Sequence, residues 1–141
     1  MKFFFDTSVL VAAILRQHVH HRTSLAAYLK TEKKIAGCAA HTLAEVYSAL
    51  TRMPGAQRIS GEQASFFIDE FRRRLTIVTL DEADYASTIA SAAAQGVTGG
   101  TIYDALLAKC ALKANAAIIY TWDLGHFRLF GAEVSSRVRT P

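Results

Sequence analysis

The apolar positions of this chain come as short unbroken runs set between longer stretches of helical period. Residues 2–5, Ile35–Ala39, Thr76–Leu80 and Ala117–Tyr120 are the short runs, and each predicts a buried strand. Between the first two, Ser8–Arg16 predicts a helix that is apolar almost all round. A polar, His-rich break at Gln17–Arg22 leads into a second helix ending near Lys30. Thr42–Met53 predicts a third helix, with Leu43, Val46, Tyr47 and Leu50 on one face, and Pro54-Gly55 stops it. Ser60, with Gln63 three residues on, reads as the cap of a fourth helix whose stripe is Ala64, Phe67, Ile68, Phe71 and Leu75. Asp81 caps an alanine-rich helix that stops at Gly96. Gly99-Gly100 forms a flexible joint, and Thr101 opens a helix to about Ala114. A last short strand is expected near Leu129–Val134. Strands alternating with helices predict an α/β fold, a parallel sheet covered on both faces. With 141 residues and no repeat or linker, one domain spanning 1–141 is expected.

Against this frame four acids stand out: Asp6, Glu45, Asp104 and Asp123. Asp6 ends the run Phe3-Phe4-Phe5, and Asp123 follows the strand ending at Tyr120. Glu45 and Asp104 fall early in helical segments. Each has an ordinary local explanation. Asp6 suits a helix cap. Thr42-Leu43-Ala44-Glu45 and Thr101-Ile102-Tyr103-Asp104 both resemble capping boxes. Asp123 suits a turn. Taken together they fall where a parallel α/β sheet places its binding site, beyond the carboxyl ends of the strands. Four converging carboxylates repel one another, and a hard divalent cation with oxygen ligands, Mg²⁺ or Mn²⁺, answers that repulsion. The remaining acids read otherwise. Asp69 and Glu70 are expected on an exposed helix face, paired at i+4 with Arg73 and Arg74.

Charge adds a substrate class. The net charge is +4, and setting the four acids aside leaves sixteen basic residues against eight acidic ones. A basic surface around an acidic hole suits a phosphate-backbone ligand, although a mildly basic soluble protein has the same balance. Cys38 and Cys110 lie in apolar segments without CxxC spacing, which predicts free, buried thiols and a reducing cytoplasm. Asp6 interrupts the first apolar run, and no stretch approaches the roughly 20 residues of a membrane span.

Several of these residues carry a resemblance. Phe5-Asp6-Thr7-Ser8-Val9-Leu10, Thr42-Leu43-Ala44-Glu45-Val46, Tyr103-Asp104-Ala105-Leu106-Leu107-Ala108 and Ile119-Tyr120-Thr121-Trp122-Asp123, followed by His126-Phe127, resemble PIN-domain ribonucleases. The likeness is greatest to VapC-type toxins of toxin–antitoxin pairs. It implies a five-stranded parallel sheet and a metal-dependent endoribonuclease leaving 5′-phosphate and 3′-hydroxyl ends. It also implies a small antitoxin partner, a homodimer, and catalytic, metal-binding roles for Asp6, Glu45, Asp104 and Asp123. The hydroxyls of Thr7, Ser8 and Thr121 are candidates for phosphate or metal-bound water, and equally for helix capping and turn bonding.

Other constellations point less far. His18, His20 and His21 lack a fourth partner for zinc and read as a solvated loop. Arg72-Arg73-Arg74 suits a salt-bridged helix face as well as an RNA grip. Trp122 can stack on a base or fill space beside its strand. Two other function classes share the expected fold. A haloacid-dehalogenase-like phosphatase also starts with a strand ending in Asp, but wants a second Asp where this chain has Ser8. A non-catalytic RNA-binding or partner-binding module has no need of the four acids.

Overall fold

The computed structural model describes every residue from Met1 to Pro141. Five strands form one parallel sheet: β1 (Phe3–Phe5), β2 (Ala36–Ala39), β3 (Thr76–Val78), β4 (Ile118–Tyr120) and β5 (Val138–Arg139), in the order β3-β2-β1-β4-β5. Helices α1 (Thr7–Ile14) and α2 (His21–Leu29) link β1 to β2. Helices α3 (Ala40–Thr51) and α4 (Gly61–Arg74) link β2 to β3. Helices α5 (Glu82–Ala94) and α6 (Thr101–Lys113) link β3 to β4, and α7 (Leu124–Phe127) and α8 (Ala132–Ser135) lead to β5.

Side chains of successive strand residues point to opposite faces, so β1 feeds two cores. Phe4 packs with Leu107, Ile119, Phe127 and Val134 on one side of the sheet. Phe5 packs with Val9, Leu10, Val46, Leu50 and Phe71 on the other. The apolar run Val9–Leu15 supplies the second core: Val9, Leu10, Ala12 and Ala13 are buried. Cys38 and Cys110 are free and buried, and burial pushes each thiol up to about 12, so neither is a nucleophile at neutral pH.

Strand order decides where a ligand can enter this sheet. After β1 the chain moves outward through β2 and β3, then returns to the other edge of β1 with β4 and β5. The connections from β1 and β4 therefore leave in different directions, and a crevice opens at their carboxyl ends. Phe5 pairs with Tyr120, and the Asp6 amide donates to the Tyr120 carbonyl at 3.0 Å, so Asp6 sits beside Thr121.

Three expectations need correction. The last strand is Val138–Arg139, not Leu129–Val134. Gly131, at φ +91°, separates a 3₁₀ turn at Arg128–Phe130 from α8, and the apolar residues of this stretch pack inward as Phe130 and Val134. A two-residue strand leaves no period to read. The ion pairs on α4 run at i+3, Arg72 to Asp69 at 3.3 Å and Arg73 to Glu70 at 3.2 Å. Arg74 turns away, donating to the Leu29 carbonyl at 2.8 Å and lying over the Tyr28 ring. Finally, the two T-x-x-acid stretches are not capping boxes. Helix α3 starts two residues before Thr42, whose buried hydroxyl has no partner, and Thr101 is already inside α6.

Gly37, in the middle of β2, offers a direct check on the packing. A Cβ there would lie 2.6 Å from the Thr76 carbonyl oxygen and 2.8 Å from Met1 Sδ. Backbone cannot yield as a side-chain tip can, so Gly37→Ala should cost about 1–3 kcal/mol, within the range for overpacked cores. Urea unfolding measures it, and stability equal to the parent chain would contradict the close β2–β3 approach.

Candidate active site

Asp6 is the most constrained of the four acids. It closes β1 and caps α1, and only 3% of its surface is exposed. The Thr7 amide donates to Oδ1 at 2.8 Å, while the Ser8 and Thr121 hydroxyls each donate to Oδ2 at 2.7 Å. Both hydroxyls also accept, Ser8 from the Trp122 amide at 3.0 Å and Thr121 from the Asp123 amide at 2.9 Å. One small network thus ties the end of β1, the start of α1 and the turn after β4.

The other acids reach the same cleft from separate elements. Glu45 lies on α3, where the Thr7 hydroxyl donates to its Oε1 at 3.2 Å and His41 Nε2 stands 3.6 Å away. Asp104 lies in the first turn of α6, with Oδ2 2.8 Å from His126 Nδ1. Asp123 opens α7 without a side-chain capping bond. Asp6, Glu45, Asp104 and Asp123 line one open cleft of about 530 Å³, together with Thr7, Ser8, Val11, His18, Val19, His20, Ala49 and Trp122. The three hydroxyls singled out in the sequence all lie against these acids. Ser8 and Thr121 bond to Asp6, Thr7 bonds to Glu45, and Thr121 is fully buried.

Burial, with crowded negative charge after it, raises the carboxyls of the site. Burial raises the Asp6 carboxyl above its ordinary range, and Asp123 pushes it further, against hydrogen bonds from Thr121 and Ser8. Glu45 is pushed up to about 7, first by burial and then by Asp6 and Asp104. Asp104 is pushed up to about 6 by burial and by Asp6, against the pull of His126.

Oxygen donors in a negatively charged cleft suit a hard divalent cation in kind and number. As arranged, however, no three His, Cys, Asp or Glu side chains stand close enough to ligate one ion. Asp104 is turned to His126, and Glu45 to Thr7 and His41. The three N-terminal histidines do not gather either. His21 Nδ1 lies 2.9 Å from the Ala12 carbonyl oxygen, while the His20 ring lies against the indole of Trp122. Sequence reasoning gave no role to His41 and none beyond family likeness to His126. Only the packing of α3 and α7 around the acids brings these two histidines in.

The same fold recurs in known proteins. The model of the PIN domain family matches residues 3–130, and the chain belongs to that family. It is 34% identical over 119 residues to Ribonuclease VapC40 of Mycobacterium tuberculosis, covering 84% of each chain. It is 32% identical over 114 residues to Ribonuclease VapC27 of the same organism, covering 80% of this chain and 79% of that one. Identity and coverage at this level place the chain within the VapC group of the family, in agreement with the resemblance read from its motifs. Among solved structures, the sarcin-ricin loop cleaving toxin VapC20 of Mycobacterium tuberculosis superposes with a TM-score of 0.76 at 15% identity, covering 94% of this chain and 98% of that one. VapBC2 from Rickettsia felis, bound to a DNA fragment from its promoter, superposes with a TM-score of 0.66 at 20% identity, covering 99% and 98%. These two likenesses establish the fold.

The raised carboxyls make stability depend on pH. A carboxyl whose folded pKa is raised favours folding while protonated. That contribution is complete below the unfolded value and is lost as pH climbs through the folded one. For Glu45 the window runs from an ordinary value of 4.5 to about 7. In excess chelator, the difference in melting temperature between Glu45→Gln and the parent chain should therefore shift in favour of the variant from pH 5 to pH 8. A difference independent of pH would show that burial and the neighbouring acids do not raise the Glu45 carboxyl.

Proposed function

We propose that this protein is a metal-dependent endoribonuclease, cutting RNA phosphodiester bonds as the toxin of a type II toxin–antitoxin pair. One observation carries the reading: acids from four separate parts of the chain line a single cleft at the point where the strand order reverses. The named ribonuclease relatives give the chemistry. Asp6, Glu45, Asp104 and Asp123 would hold a Mg²⁺ or Mn²⁺ ion once Glu45 and Asp104 turn from their present partners, and the ion would supply charge neutralisation at the phosphate and a more acidic water. The chain's own residues do the rest. Thr7, Ser8 and Thr121 orient the Asp6 and Glu45 carboxylates. Glu45, bonded to the Thr7 hydroxyl at the cleft, is placed to orient the attacking water. His126 holds the Asp104 side chain at the cleft edge. Cleavage leaves 5′-phosphate and 3′-hydroxyl ends. Ser8 bonded to Asp6, where a phosphatase of the haloacid-dehalogenase type needs an acid, favours the nuclease reading.

The partners in this proposal are an RNA strand, a small cognate antitoxin and a second copy of the chain. Solved relatives include assemblies described as VapBC-1 from nontypeable Haemophilus influenzae and FitAB bound to DNA, which supports an antitoxin. Exposed Tyr85 and Ile89 on α5 and Tyr103 on α6 support a homodimer surface. For the antitoxin, Ile14 and Leu15, with Gln17, Ala56 and Gln57, line a groove at the end of α1. That groove replaces the Val9–Leu15 run as a whole, most of which is buried. No helix is long and apolar enough to cross a membrane, and two free, buried cysteines accord with a cytoplasmic protein.

Purified protein should cut single-stranded RNA with Mg²⁺ or Mn²⁺ and stop in excess chelator. Asp6→Asn and Asp104→Asn should each lower the rate at least about a hundredfold, since direct ligands set occupancy and geometry together. Asp69→Asn, on the exposed face of α4, should be nearly silent. Undiminished cleavage in chelator, or equal damage from Asp69→Asn, would sink the assignment. For the dimer, light scattering at micromolar concentration should give twice the chain mass, and Ile89→Asp should halve it. A monomeric parent chain would refute that surface.

A further inference from the structure

One wall of the acid cleft is built from planar rings, the Trp122 indole and the imidazoles of His18 and His20. The Trp122 indole lies against the His20 imidazole with ring centroids 3.6 Å apart and planes 7° from parallel. Trp122 is held from two sides. Its Nε1–H donates to the buried Ser24 hydroxyl at 2.9 Å, and its amide donates to Ser8, which donates in turn to Asp6. His18 lies next to His20, with its Nδ1 accepting the His20 amide at 3.0 Å, and Val19 between them is 86% exposed. All four residues line the same cleft as the acids. Burial and the neighbouring His20 and His21 lower the pKa of His18.

We propose that the His20–Trp122 stack is a nucleobase platform, on which an unpaired base of the RNA strand extends the stack while the adjoining phosphate lies at the acids. The proposal rests on the ribonuclease reading, because it places a base beside the phosphate which that reading brings to the cleft. The stacked rings form a planar surface joined to Asp6 through one hydroxyl. It offers a π-face to any base, in the way single strands are held without sequence readout. The anchored indole fixes the orientation of the imidazole. The His20 side chain makes no capping hydrogen bond at the start of α2.

The chain has a single tryptophan, so its emission reports on this wall alone. A short single-stranded oligoribonucleotide titrated with Ca²⁺ present, a cation suited to an oxygen-ligand site, should quench Trp122 as it binds. His20→Ala should weaken binding about tenfold, within the range for loss of one base–aromatic stack, and His20→Phe should restore it. An oligomer with one abasic nucleotide moved along the strand should bind more weakly at one position to the parent chain and to His20→Phe. His20→Ala should be indifferent to that position. Cleavage of the same oligomers with Mn²⁺ is measured in parallel. Cleavage with binding indifferent to residue 20 would overturn the platform and leave the nuclease standing. Binding with quenching and no cleavage would support the platform and overturn the nuclease. Neither binding nor cleavage would overturn both.

Discussion

The pairing of β1 with β4 is the constraint on which the rest of the cleft depends. It places the end of β1 beside the turn after β4, so that Asp6 meets Thr121 across 115 residues of chain. A carboxylate buried to this degree is costly unless it is hydrogen-bonded. Here three donors meet it: one backbone amide and two hydroxyls, each hydroxyl also bonded to an amide of the β4 turn. The network makes the position of Asp6 insensitive to side-chain rotation, and it carries Trp122 and Asp123 with it.

Around this fixed acid the other three are held more loosely. Glu45 and Asp104 stand on the helices α3 and α6, each facing a histidine, and Asp123 is exposed at the start of α7. The arrangement combines one rigid carboxylate with three that can adjust, in a cleft where burial and mutual repulsion oppose ionisation. Such a cleft favours whatever brings positive charge, and disfavours the polyanionic strand unless that charge is present. Cation and RNA binding are thereby coupled by electrostatics alone.

The wall of the cleft has a different character. His20 and Trp122 belong to segments at opposite ends of the chain. Their parallel rings are placed by Ser8 and Ser24, the first of which also orients Asp6. The same hydroxyl therefore sets the spacing between the proposed sites for base and phosphate.

Much of this was legible along the chain. Short apolar runs of strand length between helical stretches specify a parallel sheet, because strands buried on both faces have no polar alternation to confuse them. Ser60 and Asp81 announce their helices through local hydrogen bonds that need no partner elsewhere. Asp6, Glu45, Asp104 and Asp123 could be singled out because strand ends and helix starts converge in such a sheet. What stayed hidden depends on contacts between distant residues. The final strand is two residues long and is defined by its pairing with β4, not by any period of its own. Glu45 reads locally as half of a capping box, yet α3 begins at Ala40, directly after β2. The partners of the acids, His41 and His126, and the stacking of His20 on Trp122 arise only when α2, α3 and α7 pack around the ends of the strands. Local sequence determines which elements form and which residues they offer; the hydrogen bonds and packing that join those elements decide which side chains meet.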